Sequence, residues 1–480
     1  DSDGSRADIG AYYYHNEYSG PSWHITESGN DTTATGASGD PFRSIQAGIN
    51  FSSNDDNVTV SAGTYVENIN FRGRNIEVVG EDRETTIIDG NQNGAVVTFT
   101  GGVSTAALLD GFTLRNGTGS YNLGNGSIEG GGIYLENNYT SPNSPTLKNL
   151  IVTGNSAGWG GGIYCGLGSS FTLFNSTVSN NTGTNTGGGI YITSSASGFE
   201  ISDVIITENI CTGYSGGGIV VTHATANITN CIISHNTAQT GGSGGQSQYA
   251  NTTWNNCLFY ENQDPSGGDA YSATQSSESV FINSTFADNK TGSTINIGYG
   301  ADIIFINSIL WNENIPEISW NNYTDSVNTV TFLNTAVEGG QAEIDSFNNV
   351  MDQNVANWLT GNIDTYPVFA DSANDDYSLA DLSPVISAAA STVTIDGVTY
   401  TAPTTDLEGN PRPSPANTYP DMGAYENANG AGDYNGPVWY VDGNSELPYA
   451  NGSESAKFSK IQYGINAASS GETVLVAAGT

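Results

Sequence analysis

Six asparagines recur along the middle of this chain at nearly constant spacing, and no other feature limits its fold so tightly. Asn155, Asn181, Asn209, Asn236, Asn262 and Asn289 are 26, 28, 27, 26 and 27 residues apart. Six positions before each stands Asn149, Asn175, Asp203, Asn230, Asn256 or Asn283. Two residues before that place comes Leu147, Leu173, Ile201, Ile228, Trp254 or Phe281, and three after it Val152, Val178, Ile206, Ile233, Phe259 or Phe286. Each unit therefore reads as a short strand, a polar bend and a second short strand. Glycine triplets mark the other half of the unit, at 130–132, 160–162, 187–189 and 216–218, each followed by Ile. Glycine permits the positive-φ bend that turns a strand sharply. A period in the high twenties without helical patterning stacks in one way, as an all-β parallel β-helix of about 25–30 residues per coil. Equivalent strands then pair about 4.8 Å apart, with Asn on Asn and Ile on Ile. At least seven coils are legible between Leu109 and Val337. A β-propeller is the rival, but its blades need roughly 40 residues or more.

A second, longer repeat encloses the first. Phe42, Ile45, Gln46, Gly48, Ile49 and Asn50 reappear as Phe458, Ile461, Gln462, Gly464, Ile465 and Asn466, an offset of 416. Val58, Val60, Ala62, Gly63 and Thr64 reappear as Val474, Val476, Ala478, Gly479 and Thr480. Upstream, residues 8–12 (Asp-Ile-Gly-Ala-Tyr) return as residues 421–425 (Asp-Met-Gly-Ala-Tyr) at an offset of 413. The expected division is a preceding module's tail at 1–12, a complete β-helix module at 13–426, a linker at 427–438 and a following module's first turns at 439–480.

Forty-nine acidic residues against eleven basic ones give a net charge of −38. Nucleic acid is excluded as a partner, because phosphate binding needs clustered Lys and Arg. Sixty-one Gly and only two Met favour turns and strands over helices. Disorder is countered by the regular return of short Ile, Val, Phe and Leu runs. No apolar stretch approaches the roughly 20 residues of a membrane-spanning helix. Four cysteines have no zinc-type spacing.

Residues 40–46 (Asp-Pro-Phe-Arg-Ser-Ile-Gln) and 58–67, followed by 86–90 (Thr-Ile-Ile-Asp-Gly) and 109–116, resemble the first turns of pectate-lyase-like and pectin-esterase-like right-handed β-helices. The closing motifs at 367–369, 376–379, 383–386, 406–412 and 421–426 resemble a recurrent tail of secreted bacterial β-helix proteins. The resemblance implies a right-handed parallel β-helix outside the cell. It implies little about activity, since this fold carries lyases, hydrolases, esterases and inert surface proteins alike.

A lyase of this class needs a base and cationic groups beside a uronate carboxylate. Between Asn116 and Pro411 only Lys148 and Lys290 are basic besides His, and they stand about five coils apart, with Arg115 at the edge. A glycosidase needs two facing carboxylates; Asp203, Glu208, Glu261 and Asp288 are candidates by residue type alone, on no acidic motif. His223 and His235 read as surface residues. No catalytic residue is assigned, nor any cofactor beyond a structural Ca²⁺ that the acid content permits, for example at Asp55-Asp56, Asp371 with Asp375-Asp376, or Asp1 with Asp3. Cys231 and Cys257 share one ladder place in adjacent coils, so a small-residue stack or an inter-coil disulfide is expected there. Tyr134, Tyr164 and Tyr191 follow inward Ile residues, so alternation aims them outward, either as a sugar platform or as a packing ladder.

The leading expectation is an extracellular structural or adhesive protein, a segment of a tandem or polymeric fibre, sheath or layer. Its partners would be neighbouring copies of the module. The alternative is a secreted carbohydrate-active enzyme or polysaccharide-binding module of the pectate-lyase-like type.

Overall fold

The computed structural model describes residues 18–428 and 437–443 apart from 125, 322–325, 348–353, 382 and 417, together with 452, 454, 457, 458, 461, 464, 465, 468 and 471–478. Short strands pair in parallel and stack as a right-handed β-solenoid of about 10 turns. Two compact units are distinguished: residues 1–227 with 232–251 and 262–268, and residues 228–231 with 252–261 and 269–480. The proposed modular tail at 1–12 and most of the linker at 427–438 lie outside the described residues.

In the first unit one face is built from the strands Leu108–Arg115, Thr146–Thr153, Thr172–Ser179 and Ser197–Thr207, each in parallel register with the next. A second face carries Ile133–Leu135, Ile163–Cys165, Ile190–Thr193, Ile219–Thr222 and Gly245–Gln248. Shorter strands, Ser156–Trp159, Thr182–Thr186 and Ile210–Cys211, close the coil. The polar bend anticipated in each repeat is a left-handed residue, with φ of 50° at Asn149, 48° at Asn175 and 56° at Asp203. Asn and Asp tolerate this region better than other residues with a Cβ, which is why the sequence keeps them there. Pairing lapses at the bend residue and resumes in the same register beyond it, so one long strand wraps from one face to another.

The second unit repeats the plan. Glu278–Ile282, Asp302–Ile306, Thr329–Leu333 and Val355–Trp358 pair in sequence. So do Leu258–Tyr260, Thr285–Ala287, Ile309–Trp311 and Ala336–Val337. Inside the coils, identical residues stack rung on rung. The rings of Phe281 and Phe305 are 5.1 Å apart at 13°, and those of Phe305 and Phe332 5.4 Å apart at 11°. All three are fully buried, each contributing about 1.5–3 kcal/mol by its burial.

The closing section returns along the outside of this unit. Phe369, Tyr377, Leu379, Val385, Ala389, Met422 and Ala424 pack on Leu258, Ala287, Ile309 and Ala336. Bend asparagines hold its backbone: Asn256 Nδ2 donates to Thr405 O at 2.7 Å, Asn283 Nδ2 to Asp421 O at 2.9 Å and Asn307 Nδ2 to Ala390 O at 2.8 Å. Arg412, buried to 6% exposure, ion-pairs with Glu426 at 2.9 Å and donates to Asn256 Oδ1 and Gly423 O at 3.0 Å each. One buried guanidinium thereby fastens the tail to the coil.

Candidate functional site

Within each unit the asparagine ladder is a line of hydrogen bonds. In the first unit the side-chain amides of Asn155, Asn181, Asn209 and Asn236 each donate to the Oδ1 of the next coil's asparagine at 3.0–3.1 Å. Each backbone N–H of these four donates to the same oxygen, at 3.0, 3.1, 3.0 and 3.2 Å. Gly117 N–H opens the line on Asn155 Oδ1 at 2.8 Å. In the second unit Asn289 donates from both its backbone N–H and its side chain to Asn312 Oδ1 at 2.9 Å. Asn312 is a rung that the sequence pattern misses, because its coil has shortened to 23 residues.

The line ends on a carboxylate. Asn312 donates from its backbone N–H to Glu317 Oε1 at 2.8 Å and from its side chain to Oε2 at 3.1 Å. Glu317 comes from the same coil, folded back to where a further asparagine oxygen would stand. It is fully buried, and burial pushes its carboxyl up to about 8, against the lowering effect of the neighbouring Thr294 hydroxyl and of the Asn312 hydrogen bonds. Nothing in the repeat pattern signals this role, since Glu317 lies off the ladder positions.

The tyrosines form a stack, and two of its three rings are covered. Tyr134 and Tyr164 lie 5.8 Å apart at 23°, Tyr164 and Tyr191 5.9 Å apart at 19°. Their neighbours Ile133, Leu135 and Ile163 fill the coil, so the rings lie on its outer side, as alternation requires. Yet Tyr134 and Tyr164 are only 8% and 4% exposed. Trp159 packs 5.2 Å from Tyr191, and Tyr164 donates to Asn137 Oδ1 at 3.3 Å. Glu129, 1% exposed, accepts two hydrogen bonds from Asn122, at 3.1 and 3.0 Å, one from Ser127, and one from Asn137 at 3.3 Å. Burial first and the Glu129 charge second raise Tyr134 to about 12, and they push Tyr164 further still. Burial, opposed by a Thr193 hydrogen bond and then aided by Glu129, raises Tyr191 to about 12. Tyr134 and Tyr164 are thus buried, while Tyr191 is half-buried.

The other chemical candidates stay apart or serve the fold. Lys148 ion-pairs with Asp110 at 3.5 Å and sits over the Phe174 ring. Lys290 pairs with Glu261, and Arg115 with Asp89 at 2.9 Å. Glu208, His235, Glu261 and Asp288 occupy a second left-handed bend just before the ladder asparagine, at φ of 49° to 56°. Asp288 accepts from Tyr377 at 3.1 Å. His223 stacks on Tyr249 at 4.8 Å. Cys231 and Cys257 are buried thiols outside any disulfide, and burial, then a contact with Cys231, raises Cys257. No disulfide joins them. Their ladder place is a small-residue hydrogen-bond line instead: Cys257 N–H donates to Ser284 Oγ at 3.3 Å and Ser284 N–H to Ser308 Oγ at 3.2 Å.

Among the described residues no group of three or more His, Cys, Asp or Glu is placed to hold a metal. Asp56 accepts from Trp23 Nε1 and Ser53 N–H, and Asp371 and Asp376 accept from Asn374 and Ser378; Asp1 and Asp3 lie outside the described residues. A hollow of about 280 Å³ is lined by Glu27, Asp31, Arg43 and Glu67. Its carboxylates are engaged by backbone amides: Asp31 by Arg43 and Ser44, Glu67 by Ile45 and Gln46, Glu27 by Thr64.

The long repeat is the site with the most distinctive geometry. In the first copy Ser22–Ile25 pairs with Asn57–Val60 in the register Trp23 to Val58. In the second, Val438–Val441 pairs with Thr473–Val476 in the register Trp439 to Val474. Every partner is displaced by 416, as in the sequence. Trp23 stacks on Phe42 at 6.1 Å and 13°, and Trp439 on Phe458 at 6.1 Å and 13°. Trp23 Nε1 donates to Asp56 and Trp439 Nε1 to Glu472, at 2.9 and 2.7 Å. A glycine closes on each ring pair, Gly36 at φ 85° and Gly452 at φ 75°. A Cβ on either would come within 2.5 Å of the Phe ring. The same cap is built twice in one chain.

No curated protein matches the chain in sequence. Among solved structures it is similar to pectate lyase Pel9A, at 14% identity over 84% of this chain and 96% of that one, with a TM-score of 0.49. It is also similar to XylC in complex with xylose, at 10% identity over 84% and 99%, TM-score 0.46. Tailspike protein 2 of the Escherichia coli O157:H7 bacteriophage CAB120 is similar at 12% identity over 62% and 41%, TM-score 0.41. Residues 161–332 match the family model described as the right handed beta helix region, and the chain folds as a right-handed parallel β-helix of about 10 turns.

Proposed function

We propose that this protein is an extracellular structural element, a β-helix module of a tandem or polymeric surface fibre, sheath or layer. The observation that carries the reading is the cap built twice, with the same register, ring stack and indole hydrogen bond at both places. A cap that recurs at a fixed interval marks the start of a recurring module. Stacked coils leave open strand edges, and joining one module to the next is a direct way to cover them. The net charge of −38 suits an outward-facing surface that stays soluble. The cations that a uronate lyase would use are each engaged by a carboxylate, at Lys148, Lys290 and Arg115.

Oriented native material examined by fibre diffraction tests this. Filaments with a meridional reflection near 4.8 Å, the coil-to-coil spacing, support the structural role. Depolymerisation of a uronate-rich glycan that is lost in Lys148→Ala or Lys290→Ala would overturn it in favour of a carbohydrate-active enzyme.

A further inference from the structure

The two caps differ in one respect. Ile45, Ile49 and Val60 are fully buried in the first, while their counterparts Ile461, Ile465 and Val476 are 52%, 51% and 44% exposed. Residue type does not explain this, because the residues are identical at all three places. What differs is the cover.

In the first cap the helix Ile45–Phe51 packs against the strand Ile69–Asn70, and the segment from Glu67 to Arg74 is zipped along it. Glu67 accepts from Ile45 and Gln46 N–H at 2.8 and 3.0 Å. Gln46 donates to Asn70 O at 3.2 Å and accepts from Asn70 N–H at 2.7 Å. Arg72 donates to Asn50 Oδ1 at 2.9 Å, and Arg74 to Ile49 O. Glu77–Gly80 then pairs in parallel with Asn57–Val60, with Val58 opposite Val78. The sequence keeps the receiving side chains in the second copy, as Gln462 and Asn466.

Resting on the modular reading above, we infer that the second cap is an acceptor for a segment built like Glu67–Gly80, the opening coil of a following module. That segment carries a carboxylate, an amide-bearing residue and an apolar strand, as Glu67, Asn70 and Glu77–Gly80 do in the first cap. The strand pairs in parallel with Thr473–Val476, in the register that Glu77–Gly80 keeps with Asn57–Val60. Ile69, Phe71, Ile76 and Val78, each at most 1% exposed in the first cap, define the apolar pattern that Ile461, Ile465 and Val476 receive.

The test extends the full chain beyond Thr480 with a second copy of residues 65–116 and follows amide hydrogen exchange at residues 473–476. The expected result is a slowing of at least a hundredfold relative to the unextended chain. An extension whose copies of Ile69, Phe71 and Val78 are replaced by Asp should lose the effect. Two results overturn the proposal. In one, the extended chain exchanges at the unextended rate. In the other, the unextended chain already protects these amides in step with a dimer seen by sedimentation, which would make a second copy of the chain the occupant. Neither result depends on whether native material forms filaments, so this proposal and the fibre reading fail separately.

Discussion

Replacing Asn209 by alanine probes whether the asparagine ladder holds the coils together. Asn209 is fully buried, and its side chain makes four hydrogen bonds. Its Oδ1 accepts from Asn181 N–H and Nδ2 at 3.1 and 3.0 Å, and its Nδ2 donates to Val178 O at 2.8 Å and to Asn236 Oδ1 at 3.0 Å. Asn236 Oδ1 keeps the backbone N–H of residue 209, so it is not orphaned. Two or three buried groups on Asn181 and Val178 lose a partner, at about 1–3 kcal/mol each, for an expected total of roughly 3–6 kcal/mol. Stacked repeats need not unfold in one step, so a single global stability is the wrong readout. Amide exchange within residues 172–236 is the right one, and it should accelerate by roughly two to four orders of magnitude. Asn180→Gly removes an exposed bond to Glu208 while keeping the left-handed bend at φ 55°, and should change exchange less than tenfold. If Asn209→Ala also stays within tenfold, the ladder contributes little to cohesion and the reasoning is refuted.

Glu317 makes stability depend on pH. Its folded carboxyl is raised from 4.5 to about 8, so the native state holds a proton that the unfolded chain releases. The contribution is full below about 4.5 and is lost as pH rises through about 8, a swing on the order of a few kcal/mol. Glu317→Gln should abolish this dependence and give the higher protection factors at pH 9 for amides within residues 302–318, as read by hydrogen exchange at both ends of the range. Arg412→Met leaves Glu426 and Asp421 buried without their cation and should cost about 3–5 kcal/mol. Limited proteolysis would then cut within residues 391–428 much faster, while the coils of the first unit stay protected. Tyr164→Ala removes the covered middle ring of the stack and should destabilise by about 3–5 kcal/mol. A variant that keeps its stability and loses glycan binding would instead make the tyrosines a sugar platform.

How much was legible depended on whether a residue repeats. The period fixed the coil, the bend asparagines and the inward apolar rungs, because stacking imposes the same environment on every turn. The 416 offset located Phe42 and Phe458, but Trp23 and Trp439, which stack on them, were not read from the repeat, because ring partners are neighbours only in the fold. One-off devices escaped. Asn312 was hidden by a coil that shortens to 23 residues, and Glu317 reaches its place by a local fold-back without a counterpart in other coils. Glu129 likewise occurs once, and its bond to Asn137, the acceptor for Tyr164, belongs to surroundings that bury Tyr134 and Tyr164 on the outer side of the coil. Arg412 was visible only as a rare cation in an acidic chain; its burial against Glu426 follows from the return path of the tail, which no local pattern encodes.

The most direct measurement of the modular account is cryo-electron microscopy of native material at a resolution that resolves strands. The account predicts modules recurring along a filament, with a strand seated in parallel on Thr473–Val476 and the side chains of Ile461, Ile465 and Val476 buried as Ile45, Ile49 and Val60 are. Isolated particles in which that face remains open to solvent, with no repeating module beside it, would contradict it.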